Sequence, residues 1–181
     1  DGPELSRFCQ RVENEFIKVN CGIMDQFAVV MGKQEYAILL ECNTLNYKYV
    51  PFVLDKYSLV IMNTNKKREL ADSKYNQRRA ECDEVLTQIR KHHPVDNLCQ
   101  AVVADVDRYV DNEVLRRRAY HVISEHKRVY MAANRLEQGD LIGFGKLMTE
   151  SHMSLKNDYE VTGLELDTIV DFCTDYPGCI G

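Results

Sequence analysis

Apolar side chains recur near the start of the chain at three- and four-residue steps, as Leu5, Phe8, Val12 and Phe16. That is the period of an amphipathic helix, and it predicts one over residues 4–16 packed on a core through this stripe. Residues 19–22 break the pattern as a short turn. A second helical stretch covers residues 23–31 and closes on Gly32 as its C-cap, so Asp25 falls in a first helical turn. The period then changes to that of strands. Residues 35–42, 47–53 and 57–63 are rich in β-branched and aromatic side chains, separated by Asn43-Thr44-Leu45-Asn46 and by Leu54-Asp55-Lys56. The first two runs predict a hairpin.

Ser73 is placed to cap a helix running toward Arg90, and residues 94–110 are mixed, with 100–104 a candidate short strand. Beyond Tyr109 the pattern is helical: residues 112–137, then 140–157 after Gly139, then 162–175 before Pro177 and Gly178. Strands followed by packed helices, without βαβ alternation, predict an α+β protein rather than a doubly wound sheet. No internal repeat or low-complexity linker interrupts the chain, and a domain boundary is expected near residues 54–56.

Composition narrows the function classes. With 181 residues, 45% hydrophobic and 28% charged, the chain is globular and large enough for one good core or two small ones. A net charge of −5 removes the broad positive field that nucleic acid or anionic membranes select, and a small neutral or locally steered substrate fits better. No run approaches the roughly 20 apolar residues that span a bilayer, and the start lacks the features of a signal peptide, so a soluble, cytoplasmic protein is expected. Seven cysteines, odd in number, scattered and never spaced as CxxC, predict reduced thiols rather than a disulfide framework or a metal site. The absence of an initiator Met and the stop at Gly181 directly after a predicted helix lead to the expectation of a fragment, with exposed apolar helix faces and a tendency to self-associate.

The most unusual segment is Val19-Asn20-Cys21-Gly22-Ile23-Met24-Asp25-Gln26-Phe27. It sets one carboxylate just inside a helix start, where the N-terminus favours the ionised form and apolar neighbours disfavour it. Residue chemistry alone leaves two readings open, a helix-start stabiliser and a catalytic acid.

Four ordered blocks carry a resemblance. They are residues 20–27; Asn63-Thr64-Asn65 with residues 73–82; residues 117–125; and residues 151–161. Together they resemble galactokinases, within the GHMP sugar and metabolite kinases. The resemblance implies a two-lobe α+β fold of which this chain is a part: residues 1–54 the end of the N-terminal lobe and residues 55–181 an incomplete, mostly helical C-terminal lobe. It also implies transfer of the ATP γ-phosphoryl group to the C1 hydroxyl of α-D-galactose with Mg2+. Asp25 is then the catalytic residue against that hydroxyl, Gly22 lays its backbone on the sugar, and the Tyr75 hydroxyl reaches it. Departures are small: Lys18 stands where a small residue is common, and Thr162-Gly163-Leu164 lacks the Cys-Pro often found there. No phosphate loop, N-terminal sugar motif or later glycine-rich motif is present, so ATP and Mg2+ are expected to be bound mainly outside this chain. A non-catalytic galactokinase-like sensor of sugar and ATP, and an N-acetylgalactosamine kinase, are the alternatives.

Other constellations read as structural. Gly139 through Gly145-Lys146 has five residues between its outer glycines and Leu147 after the lysine, which is not a Walker sequence. His121 and His126, five apart, point away from one another on a helix, unlike HExxH. Ser151, His152 and Asp158 lack a GxSxG elbow. The basic runs Lys66-Lys67-Arg68 and Arg116-Arg117-Arg118 read as solvated faces.

Overall fold

The computed structural model describes residues 1–18, 21–66 and 71–181, with backbone only for residues 71–73 and 75. It divides into two units, Asp1–Leu59 with Ala133–Asp140, and Val60–Ala132 with Leu141–Gly181.

In the first unit, α1 (Gly2–Arg11) begins on a capping box. The Asp1 carboxylate accepts from the Glu4 N–H at 2.9 Å, and Glu4 accepts from the Asp1 amino group at 3.2 Å. This reciprocal cap starts the helix ahead of the predicted residue 4. A π-helical turn, Val12–Ile17, continues it until Lys18 turns left-handed at φ 67°. The predicted core stripe is a correction: Leu5, Phe8, Val12 and Phe16 are all exposed, Phe16 by 81%. The face turned to α2 (Met24–Met31) is instead the small-residue one. A Cβ on Gly2 would lie 2.2 Å from Met31 Sδ, and fully buried Ser6 donates to the Gly2 carbonyl at 3.0 Å. Small side chains at 2 and 6 let the helices approach, and the bulky stripe is left outside.

The hairpin forms as predicted, from β1 (Tyr36–Leu40) and β2 (Tyr47–Pro51), antiparallel with Ala37 opposite Val50 and Ile38 opposite Tyr49. It packs on α2 through buried Phe27 and Val50. Phe27 meets the Tyr47 ring edge-on at 5.3 Å, and the Tyr49 hydroxyl donates to the Met31 carbonyl at 2.8 Å. Gly32 ends α2 in an extended conformation, φ −55° and ψ 136°, rather than the left-handed cap expected of glycine.

The predicted third strand, residues 57–63, is also corrected. It forms neither strand nor helix, and Ile61 is 88% exposed. A strand needs a partner for its backbone groups, and among the described residues none pairs with it.

In the second unit, α3 (Ala71–Arg90) includes Ser73, which therefore lies inside the helix rather than capping it. The candidate strand 100–104 is instead a 3-10 turn, Leu98–Gln100, leading into α4 (Val103–Tyr109). Helical spacing there buries Val106 and Val110 in one cluster with Val85, Ile89, Leu115 and Ile123, which a strand could not do. Asn112 caps α5 (Glu113–Glu137), its Oδ1 accepting from the Val114 and Leu115 N–H groups at 2.9 and 3.2 Å. α6 (Leu141–Ser154) passes into a second π-helical turn, Leu155–Tyr159, and α7 (Leu164–Asp175) follows.

Arg118 overturns the reading of residues 116–118 as a solvated face. It is 2% exposed, with Nε on Glu81 at 2.9 Å, Nη2 on Glu160 at 2.7 Å and Nη1 on the Asp158 carbonyl. Arg78 joins from α3, bonding Glu81 at 3.0 Å and the carbonyls of Tyr159 and Glu160. The two guanidinium forks supply donors to the carbonyls that the π turn leaves over.

Candidate functional site

Cys21, Gly22 and Ile23 lead into α2, whose second residue is Asp25. Ile23, at the N-cap position, makes no side-chain cap hydrogen bond, and the positive end of the helix lies beside the Asp25 carboxylate. Asp25 is exposed, and among the described residues its carboxylate meets no cation or donor. A carboxylate so presented is available to a ligand hydroxyl.

Gly22 is three residues earlier. Its φ lies outside the left-handed region, and a Cβ built on it would meet nothing within 4 Å. Neither conformation nor packing among the described residues calls for glycine there, which leaves the neighbouring space to something else.

A polar network anchors this junction. The Asn14 amide oxygen accepts from the Cys21 N–H at 3.0 Å, and Gln10 Nε2 donates to the Cys21 carbonyl at 3.2 Å. The Cys21 thiol donates to Glu13 Oε2 at 3.3 Å, and Gln26 Nε2 donates to Glu13 Oε1 at 2.8 Å. The bonds from Gln26 and Cys21 hold the Glu13 carboxyl below its ordinary range. Burial, then Glu13, pushes the Cys21 thiol up, so Cys21 is a protonated donor here and not a nucleophile. Sequence reasoning missed Glu13, Asn14 and Gln10. They read as the polar side of an amphipathic helix, and only the fold shows that this side meets the loop.

Gly22 and Asp25 thus share one loop-to-helix junction. Tyr75 belongs to α3 in the second unit, and its side chain lies outside the described part, as do Val19, Asn20, Lys67 and Arg68.

The remaining candidates have other partners. Gly143, Gly145 and Lys146 sit inside α6. His121 is buried, its Nδ1 3.0 Å from Ser154 Oγ, and Ser154 donates to Asp158 at 2.9 Å. Ser151 donates to Glu125 at 2.7 Å, while His152 faces Asp167 at 3.3 Å, so Ser151, His152 and Asp158 do not form one site. Lys66 pairs with Glu165 at 2.6 Å. A cavity of ≈ 300 Å³ along α5 and α6, walled by Val129, Leu147, Met148 and Leu155, includes neither Gly22 nor Asp25. Among the described residues no three His, Cys, Asp or Glu side chains converge on a possible metal position, and no helix is long and apolar enough to cross a membrane.

No family model matches the chain. Comparison with individual proteins is specific. The chain is 51% identical to the galactokinase of Clostridium tetani over 185 aligned positions, covering all of this chain and 47% of that protein. It is 46% identical to the galactokinase of Halalkalibacterium halodurans over the same coverage. Its fold matches the crystal structure of Lactococcus lactis galactokinase complexed with galactose, with a TM-score of 0.94 and 42% identity over all of this chain and 47% of that one. The chain therefore spans about half the length of the relatives it matches.

Proposed function

We infer that this chain, homologous along its whole length to galactokinases, carries the sugar-facing carboxylate of an ATP-dependent galactose kinase. The reaction is transfer of the γ-phosphoryl group to the C1 hydroxyl of α-D-galactose. The C1 oxygen forms a bond to the γ-phosphorus, the bond from that phosphorus to the β–γ bridging oxygen breaks, and ADP leaves. Asp25 takes the hydroxyl proton, or holds the positive charge developing there, from a fixed position; phosphoryl transfer asks mainly for such positioning and charge stabilisation. Gly22 offers backbone to the sugar where a side chain would intrude, and Tyr75 supplies a hydroxyl. In this proposal residues 1–54 and 55–181 belong to two lobes of the parent enzyme.

The observation that carries the reading is the junction itself: an exposed Asp25 with no partner among the described residues, next to a glycine that local packing does not need. ATP and Mg2+ fit poorly to the residues present. The chain has no glycine-rich phosphate loop, and its described acids and histidines form no metal cluster. Nucleotide and metal binding belong to the rest of the parent enzyme. A cytoplasmic setting is part of the same proposal, supported by seven free cysteines, as is a substrate set of galactose and ATP without nucleic acid or membrane.

The test is galactose-dependent ADP release by the full-length protein that contains this chain. Asp25→Asn is expected to lower kcat at least about a hundredfold with the melting temperature unchanged, and the isolated chain is expected to be inactive. No turnover from the intact, folded protein would refute the kinase reading.

A further inference from the structure

The residue after Asp25 behaves in the opposite way to it. Gln26 is only 9% exposed, and its amide links the first turn of α2 to the preceding helix: Nε2 donates to Glu13 Oε1 at 2.8 Å and lies 3.6 Å from Cys21 Sγ. Glu13 and Asn14 belong to the π-helical turn Val12–Ile17, a rare geometry that recurs at functional sites. From that turn Glu13 grips both the thiol of Cys21 and the amide of Gln26, at the two ends of the segment that holds Gly22 and Asp25.

We propose that Gln26 is a positioning residue for the phosphoryl transfer assigned to Asp25: its amide, tied to Glu13, fixes the rotation of the first turn of α2 and so the direction in which the Asp25 carboxylate leaves it. The inference rests on the kinase reading and adds a residue to it.

Two features separate this role from plain packing. First, Gln26 Oε1 is buried with no hydrogen-bond partner among the described residues. A buried acceptor without a donor is a stability deficit, and an apolar side chain of similar shape would remove it. Second, among the described residues nothing bonds the Asp25 carboxylate, so its aim depends on the backbone of the turn that Gln26 anchors.

The experiment uses the full-length protein with Gln26→Met and Gln26→Glu, measuring kcat, KM for galactose and ATP, melting temperature and the pH profile. Gln26→Met keeps the shape and deletes the donor. It should lower kcat roughly ten- to a hundredfold, leave KM for ATP unchanged and not lower the melting temperature. Gln26→Glu puts a carboxyl against Glu13, with the Cys21 thiol and Asp25 as the other titratable neighbours. The facing carboxyls share a proton as pH falls, which restores the donor, so the kcat deficit of this variant relative to the unsubstituted protein should shrink toward acid pH. A kcat for Gln26→Met within twofold of the unsubstituted protein overturns the proposal. So does a loss that merely tracks a lower folded fraction, or a pH-independent deficit in Gln26→Glu. An unsubstituted protein without galactose-dependent turnover brings down the kinase reading and this proposal together; turnover with a silent Gln26→Met brings down this proposal alone.

Discussion

Gly22→Ala separates folding from function at the candidate site. The new methyl group would meet no atom within 4 Å among the described residues, and the backbone there is not left-handed. Folding should therefore tolerate it, and the loss of glycine's freedom in the unfolded chain should stabilise by about 0.4–1 kcal/mol, so the melting temperature of the full-length protein should not fall. If the sugar lies against this backbone, the same methyl group intrudes on it. Overpacking of that kind costs about 1–3 kcal/mol, or roughly 5- to 150-fold in kcat/KM for galactose, while KM for ATP stays constant. The assay is coupled ADP release by the full-length protein across a galactose series, beside thermal melts of both proteins. Turnover within twofold of the unsubstituted enzyme would refute the sugar contact. A lowered melting temperature would refute the claim that packing leaves the position open.

Three further outcomes follow from the geometry. Arg118→Met strands Glu81 and Glu160, but Glu81 keeps Arg78 at 3.0 Å and Glu160 is 43% exposed with Arg117 at 2.9 Å, so the cost sits at the lower end for a broken buried pair, about 3 kcal/mol. The chain has no Trp, so urea unfolding is followed by helical circular dichroism, and a change under about 1 kcal/mol would contradict the assignment. Burial pushes the His121 imidazole below its ordinary 6.5. Its contribution is complete above that value and is lost as pH falls, because the unfolded chain protonates first, at up to about 1.4 kcal/mol per pH unit until the folded group also titrates. His121→Asn, which retains a donor toward Ser154, should flatten the urea-midpoint difference between pH 7.5 and pH 5.5, and an unchanged difference would assign the effect to another group. The exposed stripe of Leu5, Phe8, Val12 and Phe16, with Leu164 and Phe172 on α7, should drive self-association of the isolated chain. Phe8→Gln with Phe16→Gln should reduce it in light scattering, and a monodisperse monomer without those changes would count against the idea.

Local rules carried much of this protein. The helical periods, the hairpin between residues 35 and 53 and the placement of Asp25 in a first turn depend on neighbours within a few positions, and the four ordered blocks carried the resemblance to galactokinases. The mistakes were of another kind. Apolar spacing marked Leu5, Phe8, Val12 and Phe16 as one face but not the side on which a partner lies; the close approach at Gly2 and Ser6 settled that. Residues 57–63 have strand chemistry, yet a strand exists only when a second backbone pairs with it. Arg118 reads as one of three surface cations until Glu81 and Glu160, 37 and 42 residues distant, desolvate and neutralise it. At the site, residue types and family pattern named Asp25 and Gly22. That Glu13, Asn14 and Gln26 hold the turn between them is a matter of distances across a fold, and only the tertiary structure decided it.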